Sequence, residues 1–222
     1  MKLQEIKGEY DRIVSLGSAC NPALQLRRLK LRTFSGPLDW SVSLSLSDVN
    51  RLLKNRFAHF MELPHMQHMD GAAYVHEDGV TMPSVRSYFI KDTSYNIISV
   101  HDFPRIPNEH WSLNYAPFKE KLNRRIDRML ELLSSGSSML FVRWNADYEQ
   151  SAELQTIVSE LVNGPFAILI LSPVEGKRDI TLLDWGLDRV CAVEVPNDPN
   201  RDATWDYVLS GISLTSTTRF IP

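Results

Sequence analysis

The sequence has few cysteines and no long apolar segment, and both absences exclude whole classes of protein. Only two cysteines occur among 222 residues, at positions 20 and 191, which excludes a disulfide framework and predicts free thiols in a reduced, cytoplasmic protein. The first ten residues lack the apolar region of a signal peptide. Residues 166–171 form the longest clean apolar run and are too few to cross a bilayer, so we expect no membrane partner.

A surplus of basic residues is also absent. Lys and Arg number 24 against 27 Asp and Glu, which gives a net charge of −3, whereas proteins that bind nucleic acid usually carry a basic surface. Apolar residues make up 43% of the chain and charged residues 23%, which is typical of a globular protein. The length suits a single α/β domain over residues 1–222 with a sizeable core.

Continuous apolar runs alternate with amphipathic patterns along the chain. The predicted strands are 12–16, 95–103, 138–145, 166–172 and 189–196, with a hairpin at 72–83 around Asp78-Gly79. The predicted helices are 22–31, 45–61, 116–136, 151–164 and 203–212. This order predicts an α/β three-layer sandwich, with a mostly parallel central sheet and helices on both faces. We expect that sheet to include 12–16, 97–101, 139–143, 166–171 and 190–195.

Reactive or polar residues follow three of the predicted strands. Cys20 ends the run RIVSLGSAC, His101 ends IISVH, and Arg143, Asn145 and Asp147 end LFVRWNAD. The carboxyl ends of parallel strands share one edge of a sheet, where ligands usually bind. We therefore expect these side chains to converge.

This set of groups suits nucleophilic catalysis. A thiol at a helix N-terminus gains from the helix dipole, so we expect a lowered pKa for Cys20. His101 is the candidate base, and either Asn145 or Asp147 could orient its ring. The competing interpretation is that Cys20 is a packing residue, because cysteine is often buried. Cys191 lies within an apolar strand and is predicted to belong to the core.

The Cys20 corner is also a candidate binding site. Gly17 permits a tight turn, and the backbone N–H groups of Ser18 and Ala19 would lie near the start of a helix, where they attract negative charge. Asp39 and Trp40, in a loop with turn residues, could line a pocket together with Arg143. The expected ligand is an unknown small molecule, peptide or glycan.

Three histidines form a rival cluster. His65, His68 and His76 lie close to Asp70 and other acidic residues, and such a set could bind zinc. Their spacing matches no common zinc motif, so we predict a solvated loop, no metal and no cofactor.

Several short motifs resemble those of a known family. They are SLGSAC (15–20), LRRLKLR (26–32), PLDW (37–40), VHDF (100–103) and FVRWN (141–145). Together they resemble a bacterial family of unknown function described as "putative papain-like cysteine peptidases". The resemblance implies Cys20 as nucleophile, His101 as base and Asn145 or Asp147 as orienting group. Papain-like folds place the cysteine on a long helix against an antiparallel barrel or sheet, which differs from the alternation predicted here.

Three other functions fit the same corner. The corner at residues 15–20 resembles the end of the first strand of a GDSL-type esterase, with Ser18 as nucleophile. Such enzymes carry Asp-x-x-His near the C-terminus, whereas the last histidine of this chain is His110. A domain that binds a small molecule or nucleotide-sugar could use the corner as an anion site. A non-catalytic scaffold of the same fold is the third possibility.

Overall fold

The computed structural model describes residues 1–77 and 80–216, with the backbone alone described at residue 77. The helices are α1 (Asn21–Arg28), α2 (Leu46–Lys54), α3 (Tyr115–Ser134), α4 (Tyr148–Leu161) and α5 (Asp202–Leu209). The strands are β1 (Gly8–Tyr10), β2 (Arg12–Ser15), β3 (Ser41–Val42), β4 (Met66–Glu77), β5 (Val80–Asp92), β6 (Ile97–Pro104), β7 (Met139–Trp144), β8 (Phe166–Val174), β9 (Thr181–Leu183), β10 (Val190–Pro196) and β11 (Ile212–Leu214). The predicted turn at Asp78-Gly79 lies outside the described residues.

One sheet has the order β2-β7-β8-β10-β9. Its first four strands are parallel, and β9 runs antiparallel to β10. Every residue of β7 is buried, because its alternate side chains enter two separate apolar cores. Phe141 packs with residues of α2, α3 and α4, whereas Leu140 packs with residues of α1 and α5. Cys191 is buried in the second core, as expected.

The second sheet is antiparallel and has the order β3-β6-β5-β4. It contains residues 97–101, which we expected in the parallel sheet, so that expectation is wrong. The reason is the short connection between β5 and β6, because only antiparallel strands can be joined by a tight turn. The Asp92 carboxylate stabilises this turn by accepting hydrogen bonds from the N–H groups of Ser94 and Tyr95. The fold is therefore mixed α/β: a five-stranded sheet with four parallel strands lies beside a separate antiparallel sheet, instead of one central sheet that contains all the predicted strands.

Helix α2 is shorter than its sequence pattern predicts. It ends at Lys54 instead of continuing to residue 61, and Arg56, Phe57 and His59 have positive φ values. Phe57 and Phe60 nevertheless fill the core. The spacing of these apolar residues therefore predicts their burial correctly, although the backbone that carries them is not helical.

Two further features concern the edges of the fold. The short strands β1 and β11 pair in parallel as a separate two-stranded sheet. Within the described ranges, no helix combines the length and the apolar character that a membrane span requires.

Candidate active site between the two sheets

Cys20 lies at a sharp corner between β2 and α1. Gly17 and Ser18 both have positive φ, at 77° and 90°, and Cys20 is the N-cap residue of α1. A Cβ atom at Gly17 would lie 3.3 Å from the Leu38 carbonyl oxygen, closer than most side chains tolerate, in a backbone conformation that favours glycine. The thiol therefore stands at the start of the helix, half exposed.

Hydrogen bonds from the side chain of Arg143 stabilise this corner. Its side chain is fully buried, and its guanidinium donates to the Leu16 carbonyl at 2.9 Å and to the Ser43 carbonyl at 2.6 Å and hydroxyl at 2.7 Å. Burial lowers the pKa of Arg143 to about 9. We expected Arg143 to bind substrate, but its donors are used within the protein, so it positions the cysteine loop.

The antiparallel sheet supplies His101 to the corner. Its Nε2 lies 3.2 Å from the Cys20 Sγ, and its Nδ1 lies 2.7 Å from the Tyr74 carbonyl oxygen. A carbonyl oxygen can only accept, so Nδ1 carries the proton of the neutral ring and the Nε2 lone pair faces the thiol. The thiol is thus the donor, and His101 is oriented to receive its proton.

The electrostatics of this pair favour its neutral form. Burial, together with the charges of Asp39 and Asp102, raises the pKa of Cys20 to about 12. Burial lowers the pKa of His101, although the Tyr74 carbonyl and Asp102 oppose that change. We expected the helix dipole to lower the thiol pKa, and here desolvation outweighs it. The site therefore holds a thiol and a neutral imidazole.

A second histidine covers the ring of His101. His76 stacks on it with ring centroids 3.7 Å apart and an angle of 7° between the planes. Its Nε2 lies 3.0 Å from the Thr81 hydroxyl, and burial together with the charge of His101 lowers the pKa of His76 to about 4. Two imidazolium rings at this distance would repel each other, so at most one of the two rings is positively charged at a time.

The backbone of the corner offers fewer free donors than expected. The N–H of Gly17 donates to the Ser15 hydroxyl, and that of Ser18 to the Ser43 hydroxyl. In the part of the chain that the structure describes, the Ala19 N–H has no acceptor, and the Cys20 N–H lies against its own thiol. An incoming oxyanion would therefore meet Ala19 and Cys20 rather than the whole 17–21 segment.

Asp39 and Trp40 do not line an open pocket. The Asp39 carboxylate pairs with the Arg32 guanidinium at 2.8 Å and accepts from the Gly36 N–H. Trp40 is 2% exposed, with the Arg32 guanidinium 5.0 Å from its ring centroid and the His76 ring against its edge. Both side chains are buried in the loop behind the site, and the Asp39 carboxylate is committed to Arg32 and Gly36.

The predicted orienting residues lie elsewhere. Asp147 caps α4 by accepting from the Gln150 N–H, and Asn145 is exposed in a left-handed conformation at φ 65°. Among the described residues, neither contacts His101, and the Ser18 hydroxyl has no histidine partner. The group that contacts the second ring nitrogen of His101 is instead the Tyr74 carbonyl. The prediction failed because β6 belongs to the other sheet.

The histidine cluster is dispersed in the structure. His68 packs against Tyr88, His76 against His101, and His65 ends a short 3₁₀ helix. No group of three or more potential metal ligands occurs within residues 1–77 and 80–216. His76 is a site residue that the sequence analysis assigned to a solvated loop, and its position on a strand that also carries His68 did not reveal its contact with His101.

Comparisons with known proteins identify a family for this chain. A family model described as "Putative papain-like cysteine peptidase (DUF1796)" matches residues 11–174. An uncharacterized protein of Acanthamoeba polyphaga mimivirus is 32% identical over 135 residues, which are 59% of this chain and 60% of that protein. The chain thus matches less than two thirds of that relative, which is viral, and a bacterial source stays a prediction. No solved structure matches the chain.

Proposed function

The chain belongs to the family described as "Putative papain-like cysteine peptidase", and from that premise we propose that it is a thiol hydrolase with Cys20 as nucleophile. The observation that supports this most is the 3.2 Å contact between the Cys20 Sγ and the unprotonated Nε2 of His101. With two free thiols, we also propose a reducing, cytoplasmic location.

The reaction would proceed by acyl transfer. His101 Nε2 takes the thiol proton as Sγ attacks the substrate carbonyl, and the Tyr74 carbonyl stabilises the imidazolium through the Nδ1–H. The N–H groups of Ala19 and Cys20, which follow the turn at Gly17, would stabilise the oxyanion. His101 then returns the proton to the leaving group, and a water activated by the same nitrogen releases the acyl group.

An electrophilic probe tests this proposal without a known substrate. We expect a peptidyl epoxide to modify Cys20 in the native protein, as measured by mass spectrometry of the digested adduct. His101→Ala should slow this labelling at least about a hundredfold, because the base is lost. Cys191→Ser is the matched control and should label normally. Equal labelling of both cysteines, or an unchanged rate in His101→Ala, would contradict the proposal.

A ligand-binding domain without turnover is the second candidate. The observation in its favour is the raised pKa of Cys20, because a neutral thiol is a weak nucleophile. Once a ligand is known, Cys20→Ser separates the two functions. It should abolish turnover if the sulfur attacks, and leave the affinity nearly unchanged if the site only binds.

A further inference from the structure

A cleft of about 330 Å³ lies beside the pair formed by Cys20 and His101, which is called the dyad below. The cleft lies between the antiparallel sheet and the N-terminal half of α3. His101 and His76 form part of its wall, and Cys20 does not line it. The cleft therefore meets the dyad at the imidazole and not at the sulfur. Its size is at the small end of ligand pockets.

Its position relative to His101 indicates which part of a substrate it would receive. In acyl transfer the acyl group becomes bonded to sulfur, whereas the leaving group takes its proton from the imidazole. The leaving group must lie within hydrogen-bond reach of that ring when the proton moves. A cleft that borders the imidazole is thus placed for the leaving-group side.

The lining combines an apolar wall with cationic groups. Val75, Met82 and Phe118 supply apolar surface, and Lys121 and Arg124 extend from α3. One carboxylate, Asp102, is among the lining groups, and it already accepts from the Ser99 hydroxyl at 2.7 Å and from Lys121 at 2.7 Å.

Lys121 and Arg124 keep N–H donors beyond those used in their ion pairs. Arg124 uses one nitrogen on Glu120, and a guanidinium carries five N–H groups in a fork that suits carboxylates. Lys121 has three protons, one of which meets Asp102. Each cation is thus already in one ion pair, and the remaining N–H groups of Arg124 and Lys121 are the donors that an anionic ligand could use.

We propose that this cleft binds the leaving group of the substrate, and that this group is a short apolar peptide or amino acid that ends in a free carboxylate. The apolar wall takes its side chain, and Arg124, assisted by Lys121, binds the carboxylate. The enzyme would then cut acyl chains close to a free C-terminus. This inference rests on the proposed thiol-hydrolase function and specifies its substrate class.

Digestion of a peptide library tests the cleft. Each peptide is supplied with a free and with an amidated C-terminus, and products are identified by mass spectrometry. We expect cleavage near the free C-terminus, before apolar residues, and amidated peptides cut about tenfold more slowly, since a charge-assisted contact is lost. Arg124→Gln should remove most of this difference. Arg27→Gln, at an exposed arginine of α1, is the matched control and should keep it.

The outcomes separate this inference from the function on which it rests. Cleavage that disappears in Cys20→Ala, but is equal for both kinds of peptide and unaffected by Arg124→Gln, would overturn the cleft assignment and leave the hydrolase intact. No cleavage that depends on Cys20 would overturn both. Thermal unfolding of Arg124→Gln should match the native protein, because this side chain is on the surface.

Discussion

The two sheets hold the two members of the dyad in different ways. The strands around Cys20 are buried on both faces, and a fully buried arginine supports the loop that carries the thiol. The strand β6, which carries His101, pairs with the long β4–β5 hairpin, in which residues 80–84 of β5 are exposed. The loop that carries the sulfur is thus fixed by a core, whereas the orientation of the buried His101 ring depends on its contacts with Tyr74 and His76. Mutations of residues that support the Cys20 loop should chiefly lower the stability of the protein. Mutations of residues that contact His101 should chiefly change the reactivity of Cys20.

The largest loss of stability is expected from Arg143→Met. This change leaves buried carbonyl groups of Leu16 and Ser43 without their donor, and each unpaired buried group costs about 1–3 kcal/mol. We expect the free energy of unfolding, measured in urea, to fall by at least about 3 kcal/mol. Arg143→Lys keeps the charge and should lose less. A loss below about 1 kcal/mol in the methionine variant would show that the corner does not need this support.

Arg32→Met should be nearly as destabilising, and the loss should depend on pH. It leaves the Asp39 carboxylate buried without its partner, which costs about 3–5 kcal/mol at neutral pH. Burial already raises the pKa of Asp39, and Arg32 opposes that rise. Without Arg32 the pKa rises further, so the folded state binds more protons than the unfolded state and stability falls as pH increases.

Urea unfolding at pH 7 and pH 5 checks the sign. The deficit of Arg32→Met should be smaller at pH 5. Adding Asp39→Asn should remove most of the pH dependence, because no carboxylate remains to titrate. A deficit that grows as the pH falls would contradict this account.

His76→Ala tests the imidazole side and should hardly change stability. Removing the stacked ring exposes His101 to water, so the pKa of His101 rises toward its ordinary value, because burial no longer lowers it. A base with a higher pKa is protonated at higher pH, so the acid limb of Cys20 reactivity should move upward. We expect a severalfold loss of the iodoacetamide reaction rate near pH 6 and little change at pH 8.

His76→Phe is the matched variant. It keeps an aromatic ring over His101 and should restore the native pH profile. NMR titration of the His101 ring measures the same change directly. If His76→Ala and His76→Phe give the same pH profile of Cys20 reactivity, the stacked ring does not control the pKa of His101.

Asp147→Ala should have the smallest effect. The loss of the α4 cap costs about 1 kcal/mol, and the rate of Cys20 alkylation should stay unchanged, because Asp147 is remote from His101. Thermal unfolding measures the stability of the Asp147→Ala variant. A slowed alkylation would restore Asp147 as the orienting group and remove that role from the Tyr74 carbonyl.

Much of the parallel region could be predicted from local sequence. The strands around residues 139–144, 166–174 and 190–196 were found because strands buried on both faces need continuous apolar runs. The corner at Gly17 and Cys20 was found because glycine marks a tight turn and Pro22 marks a helix start. Both patterns are properties of adjacent residues, so sequence by itself determined the α/β class and the two candidate groups, Cys20 and His101.

The tertiary structure decided how those groups meet. A four-residue turn after Asp92 sends β6 into an antiparallel sheet, and the Tyr74 carbonyl that orients His101 is a backbone atom with no signature in the sequence. The stacking of His76, and the burial that raises the pKa of Cys20, arise between segments far apart in the chain. Desolvation and ring contacts depend on which surfaces pack together, and local pattern does not specify that packing.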